Sequence, residues 1–374
     1  MLRCLCIFCL LFPLTVRAQL LNDTLVQKQV ILAIDKIYNF EFTEAEPVIS
    51  TIRKKYPKHP VSSLLMALYT SWKYFPIDSK SQAYQTYQQY LKESLERTNQ
   101  IYGEDTDNPE GVFFALSAHS YLALVASEER DYMKAMGEAK RTYVYMKKGF
   151  DLMSKYPEFY FTTGLYNFYV VEYPENHSAV KPFMLFFADG DKALGLKQME
   201  QSITTGTFTR TEAAYWLAHI YIKHEIKPLK ALQFTQQLIN KYPGNVQYIM
   251  RHTEMLIATG KYDQAQPYIK QLIAHTHKMI QSSGYVFLGL IQEKQTKNFA
   301  LARTHFQHAF KLSQPDRRFT MDYYALAYAA MARMSDREGN RQAARDYYKK
   351  VLDMAEYEGT IKEAKNYLKN ASAS

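Results

Sequence analysis

His305 and His308 stand three residues apart, a spacing that turns both imidazoles toward one helical face and could begin a metal site. His275 and His277 lie upstream. Two imidazoles do not make a site without a third ligand, so packing or surface roles are expected here and no metal. Acids also come in close sets, Glu128 with Glu129 and Asp105 with Asp107. These stand at expected helix ends and turns, where carboxylates cap helices or meet the positive helix terminus, so acid-base catalysis is not expected from them. Serine-nucleophile elbows, phosphate-binding glycine loops, dinucleotide fingerprints and zinc-protease helices have fixed spacings, and the chain contains none of them. The expectation is a protein that is not an enzyme and carries no cofactor.

Thiol chemistry is excluded by position. Cys4, Cys6 and Cys9 all fall in an N-terminal stretch laid out as an export signal: Arg3, an apolar run from Leu5 to Val16, then Ala18 before Gln19. Cleavage is expected after Ala18, which leaves no cysteine for disulfides, catalysis or zinc. The apolar run is broken by Pro13 and is shorter than the roughly 20 residues of a spanning helix, so the chain is not expected to be an integral membrane protein. No cysteine follows a small residue at the cleavage point, so no lipid anchor is expected either. The location expected is periplasmic or cell-surface. Asn22, Asn176 and Asn370 begin glycosylation triplets that matter only in a eukaryotic source.

The formal charge of +9 falls to +7 once Arg3 and Arg17 are removed. Basic pairs such as Lys147-Lys148 and Lys349-Lys350 are scattered among acids rather than gathered on one face, so nucleic acid is not an expected partner. With 14 Gly and 13 Pro in 374 residues, long helices are favoured over short strands and turns.

The elements that would carry any site reveal themselves by repetition. Lys-Tyr-Pro occurs at Lys55-Tyr56-Pro57, Lys155-Tyr156-Pro157 and Lys241-Tyr242-Pro243, each time closing a segment with apolar residues three and four apart. Proline there stops one helix before the next begins. Ala45 and Ala231 each precede such a proline by 12 residues, and Ala265 follows Ala231 by 34. Second helices read Tyr262, Ala265, Tyr268, Ile269; Phe299, Ala302, His305, Phe306, Ala309; and Arg341, Ala344, Tyr347, Tyr348. Each set falls on one helical stripe, with the alanine leaving room for the paired helix. Among the first helices, Tyr285, Leu288 and Gly289 keep an aromatic, leucine, glycine order, whereas Tyr215, Ala218 and Ile222 keep only its outline; Gly260 and Gly339 fall in the turns.

This pattern resembles the tetratricopeptide repeat superfamily, over most of the mature chain. The resemblance implies an all-α fold, a right-handed α-solenoid of about eight helix pairs with a C-terminal capping helix. The pairs are placed near 20–57, 60–103, 110–157, 158–205, 212–243, 245–276, 280–314 and 319–357, with a terminal helix at 360–370. After a leader at 1–18, residues 19–374 form one solenoid, most regular over 212–357. An insertion at 173–191 carries Phe183, Phe186 and Phe187, which form either a plug over the solenoid or a contact for another molecule. The insertion also resembles loops of repeat proteins from Gram-negative envelopes of the Bacteroidetes type.

A stack of helix pairs presents a concave wall lined by first helices, the default ligand surface. In this phase the groove-facing residues are Trp216, Ile220 and Lys223; Gln247, Met250 and Glu254; Val286, Leu290 and Glu293; and Arg333. Apolar anchors mixed with both charges fit a protein or peptide, with Trp216 as the leading anchor. The groove carries no asparagine for the terminal-carboxylate grip of the family's chaperone-tail binders. The expected role is a protein-interaction scaffold of the cell envelope. The alternative is a glycan-binding accessory protein using aromatic platforms such as Trp72, Tyr74 and Phe75, or Tyr84, Tyr87 and Tyr90.

Overall fold

The computed structural model describes residues 20–176, 187–316 and 318–372. Among these residues, seventeen α-helices occur and no strand. The first four antiparallel pairs are α1 (Thr24–Tyr38) with α2 (Phe42–Lys55), α3 (Pro60–Lys73) with α4 (Gln82–Tyr102), α5 (Pro109–Glu128) with α6 (Tyr132–Leu152), and α7 (Phe159–Asn176) with α8 (Lys192–Thr205). Four more follow: α9 (Arg210–Lys223) with α10 (Pro228–Lys241), α11 (Val246–Ala258) with α12 (Tyr262–Ile273), α13 (Lys278–Ile291) with α14 (Phe299–Leu312), and α15 (Met321–Arg337) with α16 (Arg341–Met354). Helix α17 (Glu358–Ser372) covers the last pair, and each pair packs on its neighbours in chain order. This is an α-solenoid of eight repeat-like hairpins with a terminal cap.

One local device makes six of the hairpins. A residue with positive φ (Phe40, Arg130, Ile226, Gly260, Lys297 or Gly339) turns the chain after the first helix, and the second helix starts two residues later. Five residues after each stands an alanine, and Ala45, Ala231, Ala265, Ala302 and Ala344 are fully buried where the paired helices meet. Two of the six turns use glycine, which takes this conformation without a steric penalty. Side-chain caps fix several helix starts, as where Asp23, Asn108 and Asn245 each accept hydrogen bonds from two backbone N–H groups of the first turn. Hairpins two and four depart from the pattern: Tyr74–Ser81 joins α3 to α4, and the insertion joins α7 to α8. Gly289 meets the ring of Phe306, where any Cβ would run into it, so this glycine of α13 sets how closely α14 approaches.

The superhelix winds tightly enough for distant hairpins to touch. Asn245, which caps α11, donates from Nδ2 to the Tyr38 carbonyl at 2.8 Å, and Tyr242 donates its hydroxyl to Asp35 at 2.6 Å. Further along, Phe75 meets Phe319 edge-on at 4.9 Å, and Arg318 donates to the Ile77 carbonyl at 2.7 Å while pairing with Glu128. Hairpin one therefore closes on the junction of hairpins five and six, and hairpin two on the link between seven and eight. Helix α5 is long and apolar enough to cross a membrane, but 61% of its 18-residue apolar window is buried inside the protein.

Candidate functional site

Closure turns part of the expected groove into an interior hollow of about 460 Å³. Its wall comes mainly from the inward faces of first helices, with Ile34 of α1, Leu65 and Leu68 of α3, Phe113 and Leu116 of α5, and Phe161 and Leu165 of α7, and is joined by Tyr87 and Leu91 of α4. These helices carry apolar residues on both faces because one face meets the paired helix and the other the hollow. Clefts of roughly 300–1,000 Å³ with mostly apolar walls and a few polar groups are the usual form of a small-molecule site. The wall residue Leu124 is 49% exposed, so the hollow meets solvent beside the C-terminal end of α5.

The wall carries two carboxyls and, among the described residues, no lysine, arginine or histidine. Glu158 is fully engaged: it accepts from the backbone N–H groups of Phe208 and Thr209 at 2.9 and 3.1 Å, and from that of Thr207. Glu212, in the first turn of α9, has a single hydrogen-bond partner among the described residues, the Tyr38 hydroxyl. Burial pushes its carboxyl up from the ordinary value, while the Tyr38 bond acts the other way. Although deep in the fold, Glu212 keeps accessible surface because it faces the hollow. Tyr121 lies near enough that, after burial, the Glu212 charge is the main cause holding its phenol well above the usual range.

The C-terminal half of the groove is filled by the chain itself. Ile220, Met250, Val286 and Leu290, expected as groove anchors, are buried in the main core because the inward faces of α9, α11 and α13 press together. Glu254 is buried against Arg251 at 2.8 Å, and Arg251 also bonds the hydroxyl of Tyr357, brought in by the segment joining α16 to α17. Glu293 and Arg333 form a two-pronged pair at 3.0 and 3.1 Å, and Arg333 reaches Glu363 of α17 at 2.8 Å. Lys223 pairs with Glu356, and Gln247 bonds Tyr215 at 3.0 Å. Of the expected groove residues, only Trp216 lines the hollow.

The aromatic and histidine expectations resolve in the same way. Trp72 is ringed by Tyr38, Phe40, Phe75 and Tyr248, so it forms part of the seam between hairpins rather than an open sugar platform. Phe187 packs edge-on against Tyr143 at 4.8 Å, while Phe183 and Phe186, like the leader at 1–18, lie outside the described residues. His305 and His308 flank the Tyr285 ring, at 6.1 and 4.2 Å between centroids. Among the described residues, no three His, Cys, Asp or Glu side chains gather as a metal ion would require. Sequence reasoning missed Tyr38, Tyr121 and Glu212. An acid in the first turn of a helix is ordinary, and nothing local marks Glu212 as inward-facing.

No family model matches the chain, and no curated protein matches it. Among solved structures it is similar to one described as a human IFIT1 dimer with PPP-AAAA, at 13% identity and a TM-score of 0.41, over 83% of this chain and 68% of that one. At that score the likeness carries no argument about function.

Proposed function

We propose that the protein is an exported, non-catalytic binding scaffold of the cell envelope that holds a small elongated apolar molecule inside its solenoid. One observation carries the reading: the hollow of about 460 Å³, walled by aliphatic and aromatic side chains and open beside Leu124. Water gains little in such a space, whereas an apolar chain gains roughly 25 cal/mol for each Å² it removes from water. A protein or peptide held in an open groove is a weaker reading, because the apolar anchors it would need at Ile220, Met250 and Leu290 are buried within the core. Export rests on the leader at 1–18, and fractionation of the source cell tests it directly.

The test for the ligand uses the full mature chain. Ser117 and Ser120 line the hollow on α5, and Ser117→Phe with Ser120→Phe fills it from one wall. The wild type is expected to carry an amphiphile through purification, identified by solvent extraction and mass spectrometry, and to bind a fluorescent alkyl probe. The filled variant, with unchanged circular dichroism, is expected to lose both. A wild type that carries no such molecule and binds no alkyl probe would discard the proposal.

A further inference from the structure

Resting on that reading of the hollow, we infer that its occupant carries a cationic head, a protonated amine or quaternary ammonium, seated between the Glu212 carboxylate and the rings of Tyr38 and Tyr121. The argument begins with charge. In a chain of formal charge +9, the hollow reverses the sign: among the described residues its wall holds two acids and no base. Glu158 is spent on the backbone N–H groups of 207–209, which leaves Glu212 as the carboxyl with free capacity. When ionised, that carboxylate lies in an apolar space where, among the described residues, no wall side chain supplies a counter-charge.

Three kinds of head would meet this wall differently. A fatty-acid carboxylate would face Glu212 with like charge and find no basic partner. An alcohol could accept or donate one hydrogen bond but would leave the charge of Glu212 uncompensated. A cation gains from Glu212 directly, and Tyr38, Tyr121 and Trp216 line the same wall, where an aromatic face turned to the head adds a cation-ring contact. The position of Glu212 in the first turn of α9 helps to keep it ionised while the site is empty, since the helix N-terminus favours negative charge. Burial opposes ionisation, and an arriving cation relieves that opposition.

The experiment is calorimetry on the full mature chain with three probes that share one tail: dodecyltrimethylammonium, dodecanol and dodecanoate, all below their micelle-forming concentrations. The cation is expected to bind about tenfold or more tighter than the alcohol, and the carboxylate weakest. Glu212→Gln keeps the shape and removes the charge, so it should abolish most of the cation's advantage over dodecanol. Tyr121→Leu, which does not touch the carboxyl, should cut the advantage by a smaller factor and serves if the glutamine variant folds poorly. Equal binding of all three probes, or a ranking unchanged by both variants, overturns the head-group inference and leaves the apolar hollow standing. Tightest binding of dodecanoate overturns it as well. Binding of none of the probes instead removes the hollow as a ligand site.

Discussion

Helices α1, α3, α5 and α7 occupy the same places in their hairpins as α11, α13 and α15, yet the first set encloses a hollow and the second a solid core. The backbone repeat is shared, so the inward side chains make the difference. In the N-terminal half they are aliphatic and aromatic residues with serines between them, such as Leu65, Phe113, Ser117 and Phe161. They touch across each hairpin but stop short of filling the centre. In the C-terminal half long charged and aromatic side chains reach across the axis, and Tyr357 enters from the end of the chain to bond Arg251. A repeat scaffold thus becomes a container or a pillar according to what its first helices point inward.

The comparison breaks most visibly at Arg251. Arg251→Ala strands Glu254 in the core without its partner and should cost about 3–5 kcal/mol in urea unfolding. Ligand binding in the hollow should survive under folding conditions, because no wall residue is disturbed; a parallel loss of binding would show that the two halves are not separable. Asn245→Ala is the next largest change, at about 2–3 kcal/mol, since the buried side chain both caps α11 and closes hairpin one through the Tyr38 carbonyl. Hydrogen exchange should quicken in α1 and stay unchanged in α14. Protected exchange in α1 would mean that closure does not depend on this bond.

The smallest expected effect depends on pH. Burial pushes the Asp322 carboxyl up to about 7 from an ordinary value of 3.8, against a hydrogen bond from the Glu356 N–H. Between those values the folded chain keeps a proton that the unfolded chain has lost, so stability falls as pH rises from about 4 to 7 and stays low above. Partial access to water limits the penalty to on the order of 1–2 kcal/mol. Asp322→Asn should therefore stabilise the protein by that amount at pH 8, with the gain fading below pH 4. A gain that is equal at both pH values would place the cause in packing instead.

Much of the fold is legible from short stretches. The stop prolines, the buried alanines and the order Leu288-Gly289 each act within one hairpin, so their spacing alone marks helix ends and faces. The positive-φ residues at Phe40, Arg130, Ile226 and Lys297 are not legible, because only glycine announces that conformation by type. The groove was readable only as a phase. Assigning Met250 or Leu290 to an inner face is sound helical geometry, but whether that face is open depends on α13, α15 and the segment at Tyr357 packing over it. Glu212 carries no local signal, since its meaning comes from Tyr38, which lies 174 residues earlier in the chain.

The sequence by itself determined what is local and periodic: helix against strand, the hairpin repeat, and the closing helix at the C-terminus. Those features follow from backbone preferences and from side chains within a few turns of one another. The tertiary structure alone decided how tightly the hairpins wind, and so which inward faces meet and which enclose space. That winding is set by contacts between residues some two hundred positions apart, such as Asn245 with Tyr38 and Arg318 with Glu128, and no local pattern encodes their meeting.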